Sequence, residues 1–435
     1  ILALIGLIAV PTNIFASLAA GAMLVVAMAV LAALTLLPAV LSLLGDRVDR
    51  LKVPYLGRRI LDGQTSGRIS WIARLAQRAM RRPALALVAG VALLLLCAYP
   101  ALDMRTGVSG VSTFPDDFQS KQGFAVLDRQ FSAGAVNPVQ IVVDGRVDDP
   151  AVRAGMTRLE AALADDEAFG PVQTQVAETG TLALLSVPVA GDAVGDVAIQ
   201  KVRELRETLA PAAFGGTGAS VYVTGQTAGN IDYMDMVNGS FPWVVALVLS
   251  LSFVLLTIAF RSVVIPAKAI LMNLLSVGAA YGLVTLVSLK GWGAGFLGFR
   301  QVETIEQWVP LFLFAVLFGL SMDYQVFLLS RIKETWDRTH DNTRAVTEGI
   351  GATAGIITGA ALIMVAVFAG FAAGDLVMFQ QVGFGLAVAV LLDMTLVRMV
   401  VVPASMKLME DWNWWMPASL GRFIPTIEES PDPPP

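Results

Sequence analysis

A chain of 435 residues that is 56% hydrophobic and 15% charged, with a formal net charge of −5, carries more apolar surface than a soluble fold can hide. Its mean hydropathy of +0.68 makes it an integral membrane protein. A single cysteine, Cys97, and a single histidine, His340, exclude a disulfide framework and a His/Cys-built metal centre.

The chain begins at Ile1 inside a hydrophobic run with no charged n-region, the pattern of the interior of a longer protein and not of a signal peptide. Ile1–Val10 reads as the end of one span. Ile14–Leu44 is a long apolar segment whose Ala and Gly residues suit close helix packing in lipid. Asp46–Arg82 changes character. Arg47, Arg50, Lys52, Arg58, Arg59, Arg68, Arg74, Arg78, Arg81 and Arg82 outnumber Asp46, Asp49 and Asp62, which assigns the segment to the cytoplasm. Within it, Ser66–Met80 reads either as a basic amphipathic helix on the membrane, with Ile69, Ile72, Leu75 and Ala76 on its apolar face, or as a solvated linker.

Pro83–Pro100 is the next span, and residues 102–239 form a soluble domain on the outer side. Its order is legible from period and turn signals. Val139–Val143 is a strand, and Asp149–Ala164 a helix with an apolar stripe at Val152, Met156, Leu159 and Leu163. Val172–Val176 and Leu182–Val189 are strands, Asp196–Leu209 is a second helix and Ala219–Val223 a last strand. The order β-α-β-β-α-β is the ferredoxin-like split unit. Gln226–Asn238 leads back to the membrane. Phe241–Phe260, Ala269–Ser288, Trp308–Ser330, Ile350–Phe371 and Met378–Val402 are spans, separated by an outer loop at Lys290–Gln307 and a basic inner connector at Arg331–Thr347. Trp412, Trp414 and Trp415 fit an interfacial belt, and Glu428–Pro435 has the composition of a disordered tail. The expected architecture is a polytopic α-helical membrane protein of eight spans with one external α+β domain. Its divisions are 1–44, 45–82, 83–101, 102–239, 240–410 and 411–435.

The span containing Asp323 and Tyr324 carries the chemistry. Asp323 lies eight residues before Arg331, roughly 12 Å inside the boundary at 1.5 Å per residue. A carboxylate there costs about 2.5–3.5 kcal/mol on insertion scales and marks a proton or ion path. The expectation is a proton relay through Asp323, with the Tyr324 hydroxyl hydrogen-bonding an acid across a helix interface. Gly319 and Phe327 share the Asp323 face at i−4 and i+4, Gly319 for close helix approach and Phe327 for packing. Asp393 joins the relay or serves structure. Thr358 or Thr395 is a further candidate for that network. Arg398, five residues from Asp393 and so about 140° around an α-helix, is expected to snorkel to the inner surface rather than pair with it. Asn273 reads as interhelical glue. There is no Walker A loop, and Gly319-Leu320-Ser321 does not complete a nucleophile elbow, so nothing points to an enzyme, a cofactor or a nucleic-acid partner.

An internal echo aligns Leu34–Leu44 with Met399–Met409 on Pro38 and Pro403, placing Met28 opposite Asp393 and Ala33 opposite Arg398. Duplicated halves are a transporter habit. The runs AFRSVVIPAKAILMNLLSVGAAYGLV (Ala259–Val284) and FGLSMDYQVFLLSRIKE (Phe318–Glu334) closely resemble the MMPL transporters of the resistance-nodulation-division superfamily. So do AALIMVAVFAGF (Ala360–Phe371), GFGLAVAVLLDMTLVR (Gly383–Arg398) and NWWMP (Asn413–Pro417). The resemblance implies a twelve-span fold with two external porter domains, of which this chain would be the C-terminal two-thirds. A missing N-terminal half would carry a second Asp-Tyr pair facing Asp323-Tyr324. It further implies proton-motive-force-driven export of lipidic or amphipathic molecules across the bacterial inner membrane, leaving an oligomer and accessory membrane proteins open. A non-pumping lipid-sensing or scaffolding module of the same fold is the alternative.

Overall fold

The computed structural model describes residues 2–45, 71–131 and 137–417. The cations from Arg47 to Arg68, Ile69 and the tail Glu428–Pro435 lie outside them. The chain opens with α1 (Leu2–Ile8), α2 (Asn13–Leu34) and α3 (Leu36–Leu44). α4 (Trp71–Arg81) and α5 (Pro83–Ala98) meet at Arg82. β1 (Thr106–Gly107) and α6 (Gln119–Phe131) precede β2 (Val139–Asp144), α7 (Pro150–Ala164), β3 (Gln173–Val176) and β4 (Leu182–Val187). Then come α8 (Asp196–Glu204), α9 (Ala210–Phe214), β5 (Ser220–Thr224), α10 (Gln226–Phe260) and α11 (Val264–Ser288). α12 (Ala294–Leu297), β6 (Ile305–Glu306), α13 (Val309–Thr339), α14 (Asn342–Ala372) and α15 (Val377–Leu392) follow. A π-helical run, Asp393–Val401, joins α15 to α16 (Val402–Met409).

Among the described residues, 7 helical stretches are long and apolar enough to cross a bilayer. The segment expected to end an eighth span is α1, only 7 residues long, too short to cross by itself. It packs its buried Leu4 and Leu7 into the cluster built around α13. α10 runs unbroken for 35 residues, about 52 Å at 1.5 Å per residue, where the sequence suggested a separate lead-in helix. Pro242 deletes one backbone bond of α10, but packing on α11 and α13 holds both sides in line.

In the α+β domain that holds β2 to β5 the strand order is β3-β4-β2-β5, with all neighbours antiparallel. Alternation in VQIVVD buries Val139, Ile141 and Val143 against Leu159 and Leu163 of α7 and Val202 of α8. Asp149 caps α7 by accepting the Ala151 N–H at 2.8 Å, and Pro150 occupies the first turn, where its missing N–H costs nothing. β5 passes into α10 through Gly225 at φ 107, with the Pro138 carbonyl pressed against it, so only glycine fits that corner.

One close approach joins α5 to α11. Gly282 of α11 lies against the Cys97 carbonyl at the end of α5, where a Cβ would overlap it. Gly282→Ala is therefore expected to destabilise the protein by roughly 1–3 kcal/mol through overpacking. Thermal unfolding of the detergent-solubilised full-length protein checks this, and an unchanged midpoint would contradict the contact.

Just ahead of α13, β6 pairs in parallel with β1. Glu306, 9% exposed, accepts the Ser109 N–H at 3.2 Å, while its own N–H donates to Gln381 Oε1 at 3.0 Å. No described cation pairs with it. Burial raises the Glu306 pKa, and the Ser109 hydrogen bond offsets part of that rise. The folded state thus binds this proton more tightly than the unfolded chain does. The contribution to stability is fullest below the unfolded value and is lost as pH rises through the folded one. Glu306→Gln keeps an acceptor for Ser109 and removes the desolvated charge. It should unfold at a higher temperature than the parent at neutral pH, with the gap closing as pH falls.

The apolar face of α4 is covered by protein and not by lipid. Ala76, Ala79 and Met80 are buried, and α4 packs on α14, α16 and the π run. Nor do all three tryptophans form a belt. Trp412 and Trp415 are exposed, whereas Trp414 stacks on Trp336 at 5.1 Å with Lys333 over both rings. The neighbouring Asn413 is fully buried. It receives Lys268 Nζ at 2.8 Å and donates to the Met406 and Glu410 carbonyls, tying the end of α16 to the second turn of α11.

Candidate functional site

Where α11, α13, α14 and the π run converge, a cavity of about 30 Å³ opens in the membrane core. That is room for roughly two waters at about 15 Å³ of centre volume each. Its polar lining is Asn273, Ser276, Ser321, Tyr324, Asp393 and Arg398.

The π run makes the central pair. Five residues on an α-helix leave Asp393 and Arg398 on different faces, but i→i+5 winding returns them to one. Arg398 Nη2 and Nε donate to Asp393 Oδ2 at 2.7 and 3.0 Å, and their side chains are only 8% and 14% exposed. The expected snorkelling of Arg398 is thus overturned: its charge is met inside the protein. Both π turns among the described residues, Leu205–Leu209 and Asp393–Val401, end two residues before a proline, Pro211 or Pro403. A proline offers no N–H to the carbonyls one turn back, which loosens the α-register just ahead of it.

α13 closes the network. Arg398 Nη2 also donates to the Ser321 carbonyl at 2.9 Å. Ser321 Oγ lies 2.8 Å from Asn273 Oδ1 and 3.2 Å from Asp393 Oδ2, and its one proton serves either acceptor. The Arg398 guanidinium sits 5.3 Å from the centre of the Tyr324 ring. Asn273 Nδ2, Ser276 Oγ and Arg398 Nη1 are buried without a hydrogen-bond partner in the described structure. Three unspent polar atoms around a cavity of this size suit bound water, which would accept from the Asn273 amide and the Arg398 guanidinium and bond the Ser276 hydroxyl.

Asp323 is not part of this network. It projects from an exposed part of α13 and does not line the cavity. Ser321, two residues earlier, faces inward because two residues turn an α-helix by about 200°. The expected link between Asp323 and Asp393 is therefore absent in this chain. The Tyr324 hydroxyl does not meet an acid; it points to Met364 Sδ at 3.7 Å. Thr358 lies beside Arg398 in a smaller adjoining cavity with its hydroxyl unpartnered, whereas Thr395 bonds back to the Leu391 carbonyl. Phe327 packs on the inner hydrophobic cluster, and Gly319 is half-buried. Sequence reasoning missed Ser321 and Ser276 and put Asn273 down to packing. A serine two residues before the acid was the available signal.

The MMPL family description matches residues 1–86 and 112–426. The "Mycolic acid-containing lipids exporter MmpL11" of Mycolicibacterium smegmatis is 35% identical over 97% of this chain and 44% of its own length. The "Heme uptake protein MmpL11" of Mycobacterium tuberculosis is 36% identical over 98% of this chain and 44% of its own length. The "Trehalose monomycolate exporter MmpL3" of the same species is 30% identical over 95% and 46%. The chain thus spans under half the length of these relatives. The chain, with 7 membrane-length helices among its described residues, belongs to the MMPL family of multi-pass inner-membrane proteins.

Proposed function

We propose that this chain is part of a secondary transporter that uses the proton gradient to export lipidic or amphipathic molecules across the bacterial inner membrane. The observation that carries the reading is the buried Asp393–Arg398 pair on a π-wound segment, facing a polar cavity inside the membrane. An ionised pair there is costly unless function keeps it. The names of the MmpL11 and MmpL3 relatives support a lipid substrate.

In this reading α13 is the coupling element, with Ser321 and Tyr324 turned to the Asp393 cavity and Asp323 turned away. A bare carboxylate against acyl chains costs about 2.5–3.5 kcal/mol, so the Asp323 face calls for a polar counterpart from the rest of the full-length protein. Proton uptake at Asp323 would neutralise that face, and release to the cytoplasm would restore it. The gradient supplies about 2.3 kcal/mol per charge per 100 mV and roughly 1.4 kcal/mol per pH unit. The external split-βαβ domain would serve as a porter, receiving substrate at the outer leaflet. The second reading is a non-pumping lipid-sensing or scaffolding module, favoured by the separation of Asp323 from the Asp393 network. Full-length protein in proteoliposomes decides between them. Lipid movement should follow an imposed pH gradient and stop when a protonophore collapses it; movement indifferent to the gradient contradicts the pump.

A further inference from the structure

We propose that the outer face of α4 binds the anionic headgroups of phospholipids in the leaflet at which α5 enters the membrane. Arg74, Arg78 and Arg81 follow one another at spacings of four and three residues, which aligns them along one side of the helix. Arg82 adds a fourth charge at the joint with α5. All four are exposed, and none forms an ion pair with a described residue. The opposite side of α4 is seated in protein, with Ala76 and Met80 in the cluster that holds Ile332, Val346, Val397 and Met406. The arginines therefore stand on a docked helix, not on a swinging linker.

Depth selects the ligand. Pro83, the residue after Arg82, opens a membrane-length stretch that runs to Asp103. Arg81 and Arg82 thus sit at the headgroup boundary, and Arg78 and Arg74 lie about 5 and 11 Å further along the helix from Arg81 at 1.5 Å per residue. Guanidinium groups grip phosphate oxygens by paired hydrogen bonds, and their stems reach along the interface. A row of such groups fits an array of lipid phosphates and not one enclosed ligand. Net-negative headgroups are favoured over zwitterionic ones because nothing on this face repays a choline cation. α4 also packs on the Asp393–Val401 run. That bound lipid steadies the wall of the relay cavity rests on the proposed function; the binding itself does not.

The test is native mass spectrometry of the full-length protein, equilibrated in micelles with equal amounts of palmitoyl-oleoyl phosphatidylglycerol and phosphatidylcholine. The wild type should retain phosphatidylglycerol by roughly tenfold or more, since each basic residue at a membrane surface is worth about fivefold in affinity. Changing Arg74, Arg78, Arg81 and Arg82 together to Gln should bring retention near parity, while the four Lys replacements should keep most of the preference. R338Q, an exposed arginine outside α4, should leave it unchanged. An undiminished preference in the Gln variant overturns the proposal, as does an equal loss in R338Q, which would assign the attraction to diffuse surface charge. Where the fourfold variant fails to fold, the single R78Q and R81Q variants must each show a several-fold loss; if neither does, the site is refuted.

Discussion

Asp393→Ala should destabilise the full-length protein by roughly 3–5 kcal/mol and abolish transport, because it strands a buried guanidinium. Arg398 would keep the Ser321 carbonyl and the Tyr324 ring face, but neither carries a charge. Its Nη1 already lacks a partner, and the unpartnered Ser276 and Thr358 hydroxyls that line the adjoining cavities are neutral and cannot replace a carboxylate. Stability alone does not separate a relay from a brace, and a second variant does. Replacing Asp393 with Leu and Arg398 with Met removes both charges at similar volume, and such exchanges are often neutral or stabilising. The double variant should recover most of the lost unfolding temperature yet remain inactive. Recovery of transport along with stability would show that the pair only holds the helices together.

Asp323→Asn should do the reverse. Asp323 is exposed on α13 and does not belong to the cavity network. An isosteric amide there should leave stability within about 0.5 kcal/mol of the parent. Proton-driven flux should nevertheless drop by about a hundredfold or more, the scale on which a positioned proton-transfer group acts. The measurement pairs unfolding temperature with flux under an imposed pH gradient, both on full-length protein. Undiminished flux sinks the assignment of Asp323 as a proton carrier. Wild-type-like flux in Asp323→Asn with loss in Asp393→Ala would instead move the relay wholly into the Asp393 cavity.

How much of the site could be read in advance depends on the range of the interactions. Asp323, Tyr324 and Asp393 stand out because a polar side chain within a long apolar run is conspicuous whatever it touches. Ser321, Ser276 and Asn273 do not, since short polar side chains are common in packed membrane helices. Their importance comes from lying on three segments that converge on Asp393. The Asp393–Arg398 pair is hidden from the sequence for a local reason: α-geometry puts the two side chains about 140° apart, and the segment winds as a π-helix.

Sequence alone determined that this is a membrane protein, where its long helices run, and that a β-α-β-β-α-β unit interrupts them. Those features follow from hydrophobic runs, periods of 2 and 3.6, and turn residues, all of which act between near neighbours. Only the tertiary structure decided that Arg398 is buried, that Asp323 and Ser321 face opposite ways on α13, and that α4 docks on protein while displaying its arginines. Each of these depends on which helix lies beside which, and on a backbone winding that packing stabilises. A hydrophobicity pattern records how much surface must be covered; it does not record by what.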